Sequence, residues 1–214
     1  MPTPSPSIQT HPVVLDIETA GLDAQHDWIT CIGVLSKDEG IRQFTHSAQS
    51  FRTEPLKAEE TILSEFFAWY RDHPFQKDEF LLTYNGEGFD VPFIDVRASI
   101  PKSPSINTDG FPPKSHTDLS KFVKVANSRY LSKDIAADHM ADLYVPRTCH
   151  GGFLARIYKY RKVTDIQHAN MLQHNAIDLA TTMKMWEIFR EYEDFDSWLL
   201  RGLMPDTITE HGDK

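Results

Sequence analysis

The sequence predicts an α/β fold: a mixed sheet of about five strands, a three-strand antiparallel meander followed by parallel strands, with helices on both faces. Three observations carry this. Three strand-like runs come first and are joined by short polar links. Helical and strand-like stretches then alternate. The last third of the chain has helical spacing.

The first strand is expected over 12–17, where Val13, Val14 and Leu15 form an apolar run. The second is WITCIGVLS (28–36) and the third GIRQFTHS (40–47), linked by GLDAQHD and KDEG. In LKAEETILSEFFAWYRDH the apolar residues Leu56, Ile62, Leu63, Phe66, Phe67 and Tyr70 recur at helical spacing. EFLLTYN reads as a fourth strand. DVPFIDVRASI opens a helix, with Asp90 near its N-cap and Pro92 in the first turn. PKSPSINTDGFPPKS is a loop, and SHTDLS a fifth strand running into a helix. From Lys121 the pattern is helical, broken near VPRTCHGG. GFLARIYKYRK forms one helix, and a long one starts at Asp165 and runs to about Trp198, with a break near Asp194.

With 214 residues and 40% hydrophobic content, the chain is expected to form one domain over 12–200. Residues 1–11 read as a Pro/Ser-rich disordered tail and 201–214 as a flexible one. The net charge of -9 argues against a basic protein that coats duplexes. Cys31 and Cys149 form no spaced pair, so a reducing, cytoplasmic setting is expected. No apolar run approaches membrane length, and the first residues lack the basic and apolar regions of a signal peptide.

Three places carry carboxylates in patterns that ask for an explanation. Asp16 and Glu18 follow the apolar run of the first strand. Side chains two apart on a strand share a face, and two close acids repel unless a cation intervenes. A divalent ion with oxygen ligands is one partner; a solvated strand end is the other reading. In YNGEGFDVPFI, Asp90 either caps a helix or ligates metal, and one carboxylate can do both. Phe89 and Phe93 also fit a core. In LQHNAIDLATTMKMW, His174 and Asp178 lie four apart on one helix face. A solvated His–Asp pair explains that spacing as well.

Taken together and in order, DIETAGLD, NGEGFDVPFI and HNAID resemble the three exonuclease motifs of the DEDD superfamily of 3′–5′ exonucleases, which have a ribonuclease H-like fold. Among its branches the chain is most similar to the YprB-like predicted exonucleases. The stretch from LSKDIAADHM to KVTD fits that branch too, and the resemblance spans Val13 to about Phe189.

The resemblance implies catalysis by Asp16, Glu18, Asp90, His174 and Asp178. The four acids would hold two divalent ions, Mg²⁺ or Mn²⁺, about 3.5–4 Å apart, with Asp16 as the bridge. One ion would activate a water and the other steady the leaving 3′ oxygen. The partner implied is DNA or RNA with a single-stranded 3′ end. The third motif departs from the family in one respect: His174 stands at the spacing where one branch has tyrosine, whereas the histidine branch places it one residue earlier. One helical step is about 100°, so His174 is expected in the tyrosine's slot, orienting the water or taking its proton.

Thr19, Ala20, Gly21 and Leu22 match the place where relatives hold the terminal nucleotide, with Leu22 as a wedge. Asn85 and Phe89 match the opposite wall. For Leu22 and Phe89 the alternative is core packing. Arg156, Lys159, Arg161 and Lys162, with Tyr158 and Tyr160 between them, read either as a strand-binding face or as a solvated helix. Arg129 and Lys133 are similar candidates. Gly151-Gly152 can offer backbone N–H groups to a phosphate or simply turn the chain. His116 and Asp118 fall near the site's edge, Asp118 as a supporting residue. Cys149-His150 lacks a second pair for zinc. Two rivals to an exonuclease are a non-catalytic nucleic-acid-binding or interaction module and a structure-specific endonuclease using the same site.

Overall fold

The computed structural model describes residues 11–73, 79–100, 106–144 and 151–191. The expected terminal tails, the break near VPRTCHGG, Cys149-His150 and the break near Asp194 lie outside these residues, apart from His11 and the glycine pair.

The apolar run at the start becomes β1 (His11–Thr19), the middle strand of a five-stranded sheet ordered β3-β2-β1-β4-β5. β2 (Ile29–Ser36) and β3 (Gly40–Thr45) complete the antiparallel meander. β4 (Glu79–Thr83) and β5 (His116–Asp118) add on the other side of β1 in parallel. A parallel strand needs a crossover. Here α1 (Ala48–Thr53) and α2 (Pro55–Asp72) supply the first and α3 (Asp90–Ser99) the second. The chain then turns helical: α4 (Leu119–Asn127), α5 (Lys133–Ala141), α6 (Gly151–Lys159) and α7 (Asp165–Phe189).

Strand alternation sorts β1 between two cores. Val13, Leu15 and Ile17 join α2 through Ile62, Leu63 and Phe66. Val14 joins Phe80 and Leu82, and with them α4, α5 and the late part of α7. Helices therefore cover both faces of the sheet. Asp16 and Glu18 share the parity of Val14 and emerge where β1 outruns its pairing with β4, which ends at Val14 opposite Leu82.

Several boundaries differ from the expected ones: β1 runs on to Thr19, so Glu18 lies within the strand, and α7 ends at Phe189 rather than near Trp198. β3 and β4 stop earlier, at Thr45 and Thr83, because Ser47 caps α1 and residues 84–89 form a tight turn. α1 was not expected. Phe89 is the N-cap of α3, so Asp90 is its first helical residue. Among the described residues, no helix is long and apolar enough to cross a membrane.

Candidate active site

Asp90 is brought to β1 by the turn before it. Gly86 has no room for a side chain, since a Cβ there would stand 2.4 Å from Thr83. Asn85 takes a left-handed φ of 64°. Asp118, at the end of β5, pins this turn: its carboxylate accepts from the backbone N–H of Asn85 (2.7 Å) and Glu87 (3.1 Å) while capping α4 through Ser120 N–H (3.0 Å). The supporting role expected of Asp118 is therefore structural. Beyond the β1–β4 ladder, Ile17 N–H donates to Asp90 Oδ1 at 3.0 Å. Asp90 replaces the missing strand and lies beside the β1 acids.

Asp178 arrives from the other side on α7. That helix is fixed at its start by a capping box between Thr164 and Gln167. Within it, Asn175 is fully buried, and its Nδ2 donates to Asp16 Oδ2 (3.0 Å) and to the Asp16 carbonyl (3.2 Å). Asn175 Oδ1 accepts from Gln43 Nε2 at 2.9 Å. This amide locks α7 to the sheet and the Asp16 carboxylate to one rotamer. It stood unnoticed inside HNAID, where the only signal was a carboxamide three residues before Asp178.

Lys133 joins Asp16 to Asp178. Its Nζ is 2.6 Å from Asp16 Oδ1 and 3.1 Å from Asp178 Oδ2, with the Lys133 side chain 11% exposed and each carboxylate 13%. Lys133 thus faces inward, and belongs neither to an outer strand-binding face nor to a solvated one. Lys133 is also the first residue of α5, where the helix dipole disfavours a cation by ~0.3–1 kcal/mol. Burial further opposes its charge, yet Asp16 and Asp178 outweigh burial and raise its pKa above the ordinary lysine value. Burial also raises the Asp16 pKa, with Lys133 pulling against it and Asp178 adding to it. For Asp90, burial and then the Asp16 charge push the value up to about 8. One ammonium thus leaves the acids under-compensated.

Glu18 and His174 form the other edge. His174 Nε2 is 4.0 Å from Glu18 Oε1, and the side chains are 10% and 13% exposed. A Cβ on Gly151 would meet His174 Nε2 at 3.8 Å, so α6 begins against this histidine. Three of the five predicted catalytic residues, Asp16, Asp90 and Asp178, interact with Lys133, and the other two, Glu18 and His174, face each other. Glu18 shares the strand face of Asp16.

The outer candidates divide. Leu22 is 84% exposed and so is not a core residue. Thr19 Oγ1 donates to Gly21 O at 2.6 Å, shaping the turn after β1. Phe89 packs on the core and on Phe93, 5.3 Å between ring centres. On α6, Tyr158 is buried, with its hydroxyl 2.6 Å from His168 Nδ1, and Lys159 pairs with Asp27 at 2.9 Å. Tyr158 therefore faces inward, while half-exposed Lys159 has its charge paired. Phe153 and Tyr160 are more than half exposed, and with Arg156, Ile157 and Lys162 they line a cavity of about 380 Å³.

The donor set is suited to a hard divalent ion: carboxylate oxygens, partly open to solvent and short of positive charge. It is not preassembled. Among the described residues, no three His, Cys, Asp or Glu side chains stand grouped as a metal cluster, and oxygens of Asp16 and Asp178 are engaged by Lys133.

A family model described as the RNase H superfamily matches residues 13–190. The chain belongs to the RNase H superfamily. No curated protein matches it in sequence. Among solved structures, it is similar to the family B DNA polymerase of the archaeon Pyrobaculum calidifontis, with a TM-score of 0.64 at 16% identity; the match covers 87% of this chain and 25% of the polymerase. Exonuclease I of E. coli in complex with a dA16 oligonucleotide aligns at TM-score 0.48 and 14% identity, over 88% of this chain and 43% of that one. Brucella melitensis NrnC bound to pGG aligns at 0.45 and 10%, over 98% and 95%. At these identities the likeness is one of fold, and this RNase H superfamily chain spans a quarter of the polymerase's length.

Proposed function

We propose that this chain is a metal-dependent 3′–5′ exonuclease that hydrolyses phosphodiester bonds at single-stranded DNA or RNA ends and releases nucleoside 5′-monophosphates. The observation that carries the reading is the gathering of Asp16, Asp90 and Asp178, from three motifs far apart in the chain, around one ammonium. A fold built only for stability does not collect carboxylates that burial and mutual repulsion penalise. The superfamily membership points the same way.

In this reading Asp16, Glu18, Asp90 and Asp178 hold two Mg²⁺ or Mn²⁺ ions, which when bound supply an activated water and charge for the leaving 3′ oxygen. The chain's own residues do the rest. Asn175 keeps Asp16 oriented. His174, beside Glu18, orients the attacking water or takes its proton at Nε2. Exposed Leu22 wedges against the terminal base, with Thr19 beside it and Asn85 and Phe89 on the far wall. The strand continues over α6, where Phe153 and Tyr160 offer stacking surfaces and Arg156 and Lys162 meet phosphates.

The test is cleavage of 3′- and 5′-labelled DNA and RNA oligonucleotides in Mg²⁺ and Mn²⁺, with Asp16→Asn as the inactive control. Stepwise shortening from the 3′ end supports the proposal. Internal cuts identify an endonuclease. Lys133 gives a second reading some ground, because its ammonium neutralises acids that would otherwise repel in an idle site. A protein that binds the oligonucleotides but cleaves none in either metal is a non-catalytic binding module.

A further inference from the structure

Lys133 is placed in the site by the backbone around it. Tyr84, just past β4, donates its hydroxyl to the Leu131 carbonyl at 2.6 Å. Ser132 then takes an extended conformation at the N-cap position of α5, its carbonyl accepting from Ala136 N–H at 2.9 Å, and Ala136 and Ala137 are fully buried. The side chain leaves this fixed helix start and ends between two carboxylates, 2.6 Å from Asp16 Oδ1 and 3.1 Å from Asp178 Oδ2. A flexible surface lysine has no such support.

A divalent ion bridging those same oxygens needs each of them within about 2.0–2.6 Å. The ammonium fills that space and uses the lone pairs an ion would take. It also repels an incoming cation. Resting on the nuclease reading above, we infer that Lys133 is a resident counter-cation: an ion seats between Asp16 and Asp178 only by displacing its ammonium. Lys133 then sets the metal concentration at which the site fills and compensates the acids in part when metal is scarce. When the ion enters, the charge it brings exceeds what the ammonium gave up, and the lysine is driven away from the pair.

The experiment is calorimetric titration of the chelator-stripped full chain with Mn²⁺, for wild type, Lys133→Met and Lys133→Arg. Lys133→Met is expected to bind Mn²⁺ on the order of ten-fold more tightly, a size typical of a residue that touches a ligand rather than the metal. Lys133→Arg keeps the charge in a form harder to displace and is expected to bind Mn²⁺ no more tightly than wild type. A Lys133→Met protein with unchanged or weaker affinity overturns the inference and leaves the nuclease reading standing. No binding by any of the three proteins removes both. Because Lys133→Met also strips a charge from a crowded site, a second measurement needs no variant. In ¹H–¹⁵N spectra of the lysine ammonium groups, the Lys133 signal of wild type is expected to move on adding Mg²⁺ as the ion pair opens. A signal that stays in place at saturating Mg²⁺ overturns the inference.

Discussion

Among the described residues, two enclosed cations, Arg97 and Lys133, hold carboxylates, and they keep different company. Arg97, on α3, meets Glu59 of α2 with both side chains almost wholly buried, at 3% and 1% exposure. The guanidinium grips the carboxylate through Nε (2.8 Å) and Nη2, and Glu59 Oε1 also accepts from Ile29 N–H at 2.8 Å. One charge meets one charge, the fork geometry is filled, and nothing enters. Lys133 instead meets Asp16 and Asp178, with Asp90 in range, at a place that keeps some exposure. A planar fork suits a permanent strut, and a point charge on a flexible stem suits a replaceable one. Charge balance and access distinguish the two, and burial alone does not.

Arg97→Ala should separate them most sharply. It leaves Glu59 buried without its partner, and breaking such a pair costs about 3–5 kcal/mol. Urea unfolding is expected to show that loss, and Mn²⁺ is not expected to restore it. Lys133→Met, in chelator, should cost less, roughly 1–3 kcal/mol, because its acids can take protons or solvent. Here Mn²⁺ is expected to restore the loss by binding the folded state. Equal metal rescue of both variants would break the comparison.

His174→Ala probes the other edge of the site. General acid–base help is worth ~10²–10⁴-fold, so turnover should fall by that order while the Mn²⁺-induced rise in Tm persists. His174→Tyr should keep substantial activity if the residue only orients water. Undiminished turnover of His174→Ala across pH would leave water activation to the metal ligands alone. Asn175→Ala is expected to lower the cleavage rate about 10–100-fold, as loss of an orienting partner does, since Asp16 loses its lock.

The smallest effect comes from groups outside both cation sites. Burial lowers the pKa of His116 and of His168 below the ordinary 6.5. Between the folded and unfolded values the unfolded chain binds more protons, so the stability they contribute is full above about pH 6.5 and is lost as pH falls. The decline from pH 7 to pH 5, followed by thermal unfolding in His116→Gln and His168→Gln against wild type, should total less than about 1 kcal/mol after solvent screening.

Much of the fold was legible because its signals are local. The strand-like runs of β1–β3, joined by short polar links, and the apolar stripe of α2 fix their elements without help from distant residues. α1 has six residues, fewer than two turns, too few for a periodicity to show. Among site residues, the acids could be read from spacing and motif order. Lys133 and Asn175 could not, because each meets Asp16 across 117 and 159 positions of chain. In the sequence a lysine between Ser132 and Asp134 looks like solvent-facing charge, and only the packing of α5 against α7 turns it inward. In the basic run of α6 the spacing does not show that Tyr158 turns inward or that half-exposed Lys159 is paired with Asp27.

Gly33 shows how narrow the tolerances are. It sits on β2 opposite Asp16, and a Cβ there would lie 2.0 Å from Asn175 Oδ1. The carboxamide occupies the volume of a side chain that the neighbouring strand does not have. α7 therefore rides on the sheet with a clearance of one methyl group, and that gap sets how far Asp178 stands from Asp16. Any larger residue at position 33 would act as a shim: it would lift the helix, carry one acid away from the other and widen the mouth of the site while leaving every carboxylate in the sequence.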